Sequence, residues 1–143
     1  MAQKVQSPAF TMRVLKFAFI ASVVMFFYIV VTLPAAPKQP LDPKVGLLIT
    51  ILALTNIAFG FGARRLVDRP ARAAASTPLK RWMTAGVLSL AFFESCPLFG
   101  LALHFLGATL RHVEILFAAG LLSMLFWSPG SPPPAENADL IRS

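Results

Sequence analysis

The stretch KRWMTAGVLSLAFFESCPLFGLALHFL, residues 80–106, decides the fold. After Lys80 and Arg81 it runs from Trp82 to Leu106 without another Lys or Arg, and it carries one acid, Glu94, near its middle. A membrane-crossing helix needs ~20 predominantly apolar residues to traverse ~30 Å of hydrocarbon, and this run supplies them. Working outward, two more runs are as long and as apolar. One extends from about Phe17 to Leu33, behind Arg13 and Lys16 and ahead of Pro34; the other extends from about Val45 to Ala63 and stops at Arg64 and Arg65. A shorter run from about Val113 to Trp127 is closed by Ser128, Pro129 and Gly130. Proline just past a helix end is a stop signal, although so short a run could also form a re-entrant helix. The expected fold is an all-α membrane protein, a four-transmembrane-helix bundle in one domain over residues 1–127. Its helices fall at about 17–33, 45–63, 82–106 and 113–127, with a basic loop at 64–81 and a proline-rich tail at 128–143.

Composition supports that reading. Of 143 residues, 57% are hydrophobic and 13% charged, against roughly 45–50% and about 25% in soluble domains. An ordinary soluble enzyme and a disordered chain are both excluded. The single cysteine, Cys96, excludes an intrachain disulfide, a thiolate metal cluster and a CxxC redox pair. Two histidines give no basis for a Ser/His/Asp catalytic set, and no enzyme activity is expected. The basic start of the first run and the LPAAP that follows it outline a cleavable signal, but with the segment present from Met1 the expectation is a helix of the mature protein.

Charge sets the orientation. With four crossings, both termini and the second loop share a side. That side holds Lys4, Arg13, Lys16, Arg64, Arg65, Arg69, Arg72, Lys80, Arg81 and Arg142; the other holds only Lys38, Lys44 and Arg111. Cations concentrate in cytoplasmic loops, so the N and C termini and the basic loop are expected in the cytoplasm of a multi-pass protein of the cell (inner) membrane. The loop has no interleaved aromatics on which bases could stack. Nucleic acid is therefore not an expected partner; the lipid bilayer is, with some contact to anionic lipid.

An ionisable group at membrane depth is costly and marks a functional candidate. Glu94 lies 13 residues past Arg81, roughly 20 Å along the helix, and is the proton-binding candidate. Pro97 follows three residues later and has no N–H to offer the carbonyl of Phe93. Counting inward from Lys16 and from Arg64 brings Tyr28 and Thr50 to a similar depth, as possible hydrogen-bond partners of Glu94, with Thr55 and Asn56 nearer the cytoplasm. The plain structural role is a carboxyl that pins helix packing; the functional one is proton exchange. His104, toward the outer end of the same helix, could ligate haem or a chlorophyll-type pigment as a neutral imidazole, or bond a carbonyl or headgroup at the interface. Small residues pair at four-residue spacing at Ala18 and Ser22, Ala58 and Gly62, Ala85 and Ser89, and Ala119 and Ser123, a pattern for close helix contact.

Residues 63–108, ARRLVDRPARAAASTPLKRWMTAGVLSLAFFESCPLFGLALHFLGA, resemble the proteolipid c subunit of rotary ATP synthases. In AFFESCPLFGL, Glu94, Pro97, Phe99, Gly100 and Leu101 stand as in that family's carboxylate-bearing helix, and DRPAR stands where the family has its polar loop. The resemblance implies that Glu94 matches the proton-carrying carboxylate. The inner helix departs from it, offering only Gly60 and Gly62 in place of a GxGxGxG run. The loop is longer than the family's, and two further helices flank the hairpin. Three readings result. The first is a non-enzymatic subunit or accessory protein of a larger membrane complex, such as an energy-transducing, respiratory or photosynthetic one, with other membrane subunits or its own copies as partners. The second is a c-subunit-like proteolipid binding or translocating protons through Glu94, and the third a pigment or haem carrier through His104.

Overall fold

The computed structural model describes residues 7–34, 41–68 and 77–133. The described residues form four helices, α1 Pro8–Thr32, α2 Pro43–Val67, α3 Pro78–Phe105 and α4 Leu110–Phe126, and no strand. Three of them start on one device. Ser7, Asp42 and Thr77 accept a hydrogen bond from the backbone N–H of Phe10, Lys44 and Lys80, and each is followed by a proline in the first turn. The side chain satisfies a donor that the helix leaves over, and proline occupies a position where no donor is needed. These starts lie outside the apolar runs, so α1, α2 and α3 begin at Pro8, Pro43 and Pro78 rather than at Phe17, Val45 and Trp82; α2 also continues past Ala63 to Val67.

Helices α1, α2 and α3 are each long and apolar enough to cross a membrane. Helix α4 has 17 residues, about 25 Å at 1.5 Å per residue. The bundle runs up-down-up-down. Lys16 near the start of α1 reaches the carbonyls of Leu125 and Trp127 at the end of α4, while His104 at the end of α3 reaches the carbonyl of Leu33 at the end of α1. Helix α3 reverses into α4 through Gly107 at φ 85°, with Ala108 N–H bonded back to Leu103 O. That is a glycine C-cap in the left-handed conformation, which a side chain would strain.

Helix α3 is the axis of the bundle. Of its apolar middle 44% is buried, against 11% for α1 and for α2. It packs on α2, α4 and α1, while α1 and α2 scarcely meet. Glycines permit the close approaches. A Cβ on Gly60 of α2 would stand 2.5 Å from the Phe93 ring, and one on Gly86 of α3 would stand 2.5 Å from Met12 of α1. One on Gly120 of α4 would overlap the Pro97 ring and stand 2.9 Å from the Phe93 carbonyl, the acceptor that Pro97 leaves without its helical donor. The proline that weakens α3 alone is thus the projection that seats α4. Ala85 and Ser89 are buried, with Ser89 bonded to Gly60 O of α2, but Ala58 is exposed and a Cβ on Gly62 would meet nothing within 4 Å, so that pair faces open space. Gly120→Ala is expected to lower stability by about 1–3 kcal/mol through overpacking, while Gly62→Ala leaves it unchanged or raises it by up to about 1 kcal/mol. Thermal unfolding in detergent, followed by circular dichroism, checks the contrast.

Candidate functional site

The side-chain hydrogen bonds that join helices at mid-bundle belong to α1, α2 and α3, while Ser123 of α4 donates to Ala119 O of its own helix. Ser22 of α1 donates to Glu94 Oε1 at 2.5 Å, and Asn56 Nδ2 of α2 donates to the Ser95 hydroxyl at 2.9 Å. Ser95 in turn donates to its own helix at Phe92 O, and Ser89 donates to Gly60 O at 2.7 Å. Two neighbouring residues of α3 therefore face different helices, Glu94 toward α1 and Ser95 toward α2. Successive helical residues point about 100° apart. Val87, Ala91 and Leu98 fall on the arc between those two directions, and all three are exposed. Because α1 and α2 do not close over it, this strip of α3 stays open, and Glu94 stands half-buried at its α1 edge.

The expected partners of Glu94 need correction. Tyr28 is 67% exposed on the outer face of α1. Thr50 donates to Gly46 O of its own helix and lines a separate cavity of about 480 Å³ with Leu103 and His112, toward the other end of the bundle. Ser22 takes the position expected of them, and Asn56, expected nearer the cytoplasm, stands at the level of Glu94. The physical reason lies in the choice of depth markers. Contacts from Ser22 to Glu94 and from Leu33 to His104 set α1 and α3 in parallel register, so Lys16 lies level with about Leu88, inside the bundle, rather than with Arg81. Likewise Arg81 stands by Asp68, at 3.9 Å, so Arg64 is one turn deeper than Arg81. Counting from Lys16 and Arg64 therefore pointed too far along each helix.

His104 is buried, and its Nε2 is 3.0 Å from Leu33 O. A carbonyl only accepts, so Nε2 is the donor. The ring thus satisfies an end carbonyl of α1, the interfacial alternative among the two roles anticipated for it. Ligating haem or a pigment through Nε2 would require giving that bond up. Among the described residues no group of three His, Cys, Asp or Glu side chains is placed to hold a metal ion. His112 lies exposed beside Thr109 at 2.6 Å, and Cys96 is a buried packing residue of α3.

Sequence reasoning missed Ser22 as the partner of Glu94, although the small-residue pattern had marked it for helix contact. It also missed Lys16 as the cap of α4. The signal for Lys16 was available: an isolated lysine inside a helix long enough to continue beyond it, reaching the carbonyls of a helix that ends at Trp127. No protein-family model matches the chain, and no curated protein or solved structure is similar to it.

A double-mutant cycle between Ser22→Ala and Glu94→Gln is expected to give a coupling of about 0.6 kcal/mol, and at most about 1.7, as for other hydrogen bonds between membrane helices. Cycles pairing Glu94→Gln with Tyr28→Phe or Thr50→Val are expected to give none. Unfolding by denaturing detergent in mixed micelles measures all three.

Proposed function

We propose that the chain is a non-enzymatic integral subunit, or accessory protein, of a larger membrane complex in the cell (inner) membrane. It crosses the membrane four times, with both termini and the basic loop on the cytoplasmic side. Four crossings are supported by the course of α4, which runs antiparallel along α3 from Val113 beside Gly100 to Trp127 near Gly86, and so spans the same apolar depth. Orientation rests on the ten-to-three division of cations between the two sides.

The observation that carries the subunit reading is the open strip of α3. It is floored by Ala91, flanked by Val87 and Leu98, and edged by Glu94. A small residue allows another helix close, and a carboxyl at membrane depth gains from a donor brought to it. Lipid tails fill the strip but bring no donor. The chain has no Lys or Arg between Arg81 and Arg111, or between Lys16 and Lys38, so a helix from another protein is the better occupant.

The geometry favours one second reading, a proteolipid that binds protons through Glu94. Glu94 reaches the open strip while Ser22 holds it, which is what reversible protonation from a neighbouring surface requires. Against a rotating ring stands the use of the glycines. Gly60, Gly100 and Gly120 are occupied by Phe93, Phe117 and Pro97 of the same chain, leaving little small-residue surface for ring packing.

Mild-detergent extraction of tagged protein from its host, with native mass measurement, is expected to return other subunits at fixed ratio. Ala91→Trp is expected to release them, and Val24→Trp, on the outward face of α1, to retain them. A colourless homo-oligomeric ring alone would overturn the subunit reading. It would favour the proteolipid, which predicts carbodiimide labelling at Glu94 that Glu94→Gln abolishes.

A further inference from the structure

A second feature lies at the opposite pole of α3 from His104, where α1 and α3 begin and α2 and α4 end. A cavity of about 550 Å³ opens there between the first turns of α1 and the junction of α4 with residues 128–132. Its charged lining residues are Arg13 and Lys16, and its floor includes Met12, Trp82 and Trp127. We propose that this cavity binds the phosphate of an anionic glycerophospholipid. The inference rests on the reading that this end of the bundle meets a membrane surface.

The chemistry is that of a phosphodiester receptor. Lys16 is fixed by two hydrogen bonds, to Leu125 O at 3.1 Å and Trp127 O at 2.8 Å. An ammonium carries three donors, so one remains. Those bonds also place the cation on the negative end of the α4 dipole, which holds it at the cavity without supplying a full countercharge. Arg13 stands one turn earlier on α1, exposed, and its fork matches two phosphate oxygens at once. Among the described residues no acid lines the cavity. Asp68, the one acid at this end among the described residues, is engaged on the far side by Arg64 and Arg81, each at 3.9 Å.

The wall is equally specific. Trp82 is buried and its Nε1 donates to Pro129 O at 2.9 Å, which folds the start of the tail over the bundle as a rim for the cavity. Immediately toward the apolar middle, Phe17 is 72% exposed and Phe126 83% exposed. A free phosphate would use the two cations and leave those rings without purpose. A lipid uses both, with its headgroup on Arg13 and Lys16 and its acyl chains along Phe17 and Phe126. Tryptophan at this level matches the interfacial belt of membrane proteins. Attraction of a basic segment to an anionic leaflet strengthens about five-fold for each Lys or Arg near the surface.

The test uses the protein's own reporters. Trp82 and Trp127 are the only two tryptophans in the chain, and both line the cavity. The full chain is reconstituted in phosphatidylcholine vesicles holding a minor fraction of lipid brominated near the top of the acyl chain, either phosphatidylglycerol or phosphatidylcholine. The expected result is stronger tryptophan quenching by brominated phosphatidylglycerol at equal mole fraction. The excess falls with added salt and is lost in Arg13→Gln, whose quenching by brominated phosphatidylcholine is unchanged. Equal quenching by both lipids overturns the lipid site and leaves the subunit reading standing. Equal quenching by both lipids, together with a tryptophan emission change on millimolar inorganic phosphate that chloride of equal ionic strength does not give, assigns the site to a free phosphate and overturns the lipid assignment. Absence of quenching by either lipid shows that this end lies away from the bilayer, and overturns the membrane reading of this end as well.

Discussion

The structure depends on how closely α3 can be approached. Inside a bilayer, helices gain little from excluding lipid, which is as apolar as they are, so association rests on close contact and on interhelical hydrogen bonds. Phe93 and Pro97 supply the contact. The Phe93 ring fills the space left by Gly60 of α2, with Phe61 at 4.9 Å and Trp127 at 6.1 Å between ring centres. One turn on, the Pro97 ring fills the space left by Gly120 of α4. Two adjacent turns of one helix therefore seat two others. The loss of one helical hydrogen bond at Pro97 is offset by this fit, because the ring that would clash within a helix is the shape that a glycine opposite can receive.

Helix α1 is attached differently. It fully buries only Met12, Val23 and Val30, with Leu15, Phe19, Ile20 and Phe26 packed half-buried against the core. Polar bonds also hold it at three heights: Lys16 to the end of α4, Ser22 to Glu94, and the Leu33 carbonyl to His104. Each is worth modestly more than nothing in a membrane, and together they fix register as well as proximity. Glu94 therefore has structural work whatever else it does, and its loss would loosen the middle of α1 while leaving α2, α3 and α4 joined.

Much of this was legible in the sequence. The four helices of the described residues and their order follow from four apolar runs, and three of their starts are written as Ser7-Pro8, Asp42-Pro43 and Thr77-Pro78. Glu94 and His104 stand out because lipid makes polar residues expensive. What they touch did not follow, because contact depends on two quantities that a run of apolar letters leaves open: the rotation of each helix and its vertical register. Taking the nearest cation as the membrane edge fails for a lysine, whose long stem can carry its charge to a distant carbonyl. Lys16 does this, and the error carries through to Tyr28. The roles of Gly86 and Gly120 were hidden for a related reason. Each is single in its helix face, without the four-residue spacing that marks a contact surface, and each matters because of one large neighbour, Met12 or Pro97.

The separation of α1 from α2 is the consequence with most bearing on function. Ser22 and Asn56 draw their helices to opposite sides of the Glu94–Ser95 step, and the same two bonds that secure the bundle thus hold the strip between them open. A chain selected only to be a compact bundle would gain by closing it, since that would add α1 to α2 contacts that are now scarce. Two copies facing each other across the strip would set one Glu94 against another, with no Lys or Arg from either chain at that depth. Ionised, the pair would repel; neutral, each carboxyl O–H would donate to the other, a bond that Ser22, itself the donor to Oε1, does not supply. An unlike helix carrying a donor serves Glu94 without that repulsion, and it is the occupant that the proposed subunit reading asks of the strip.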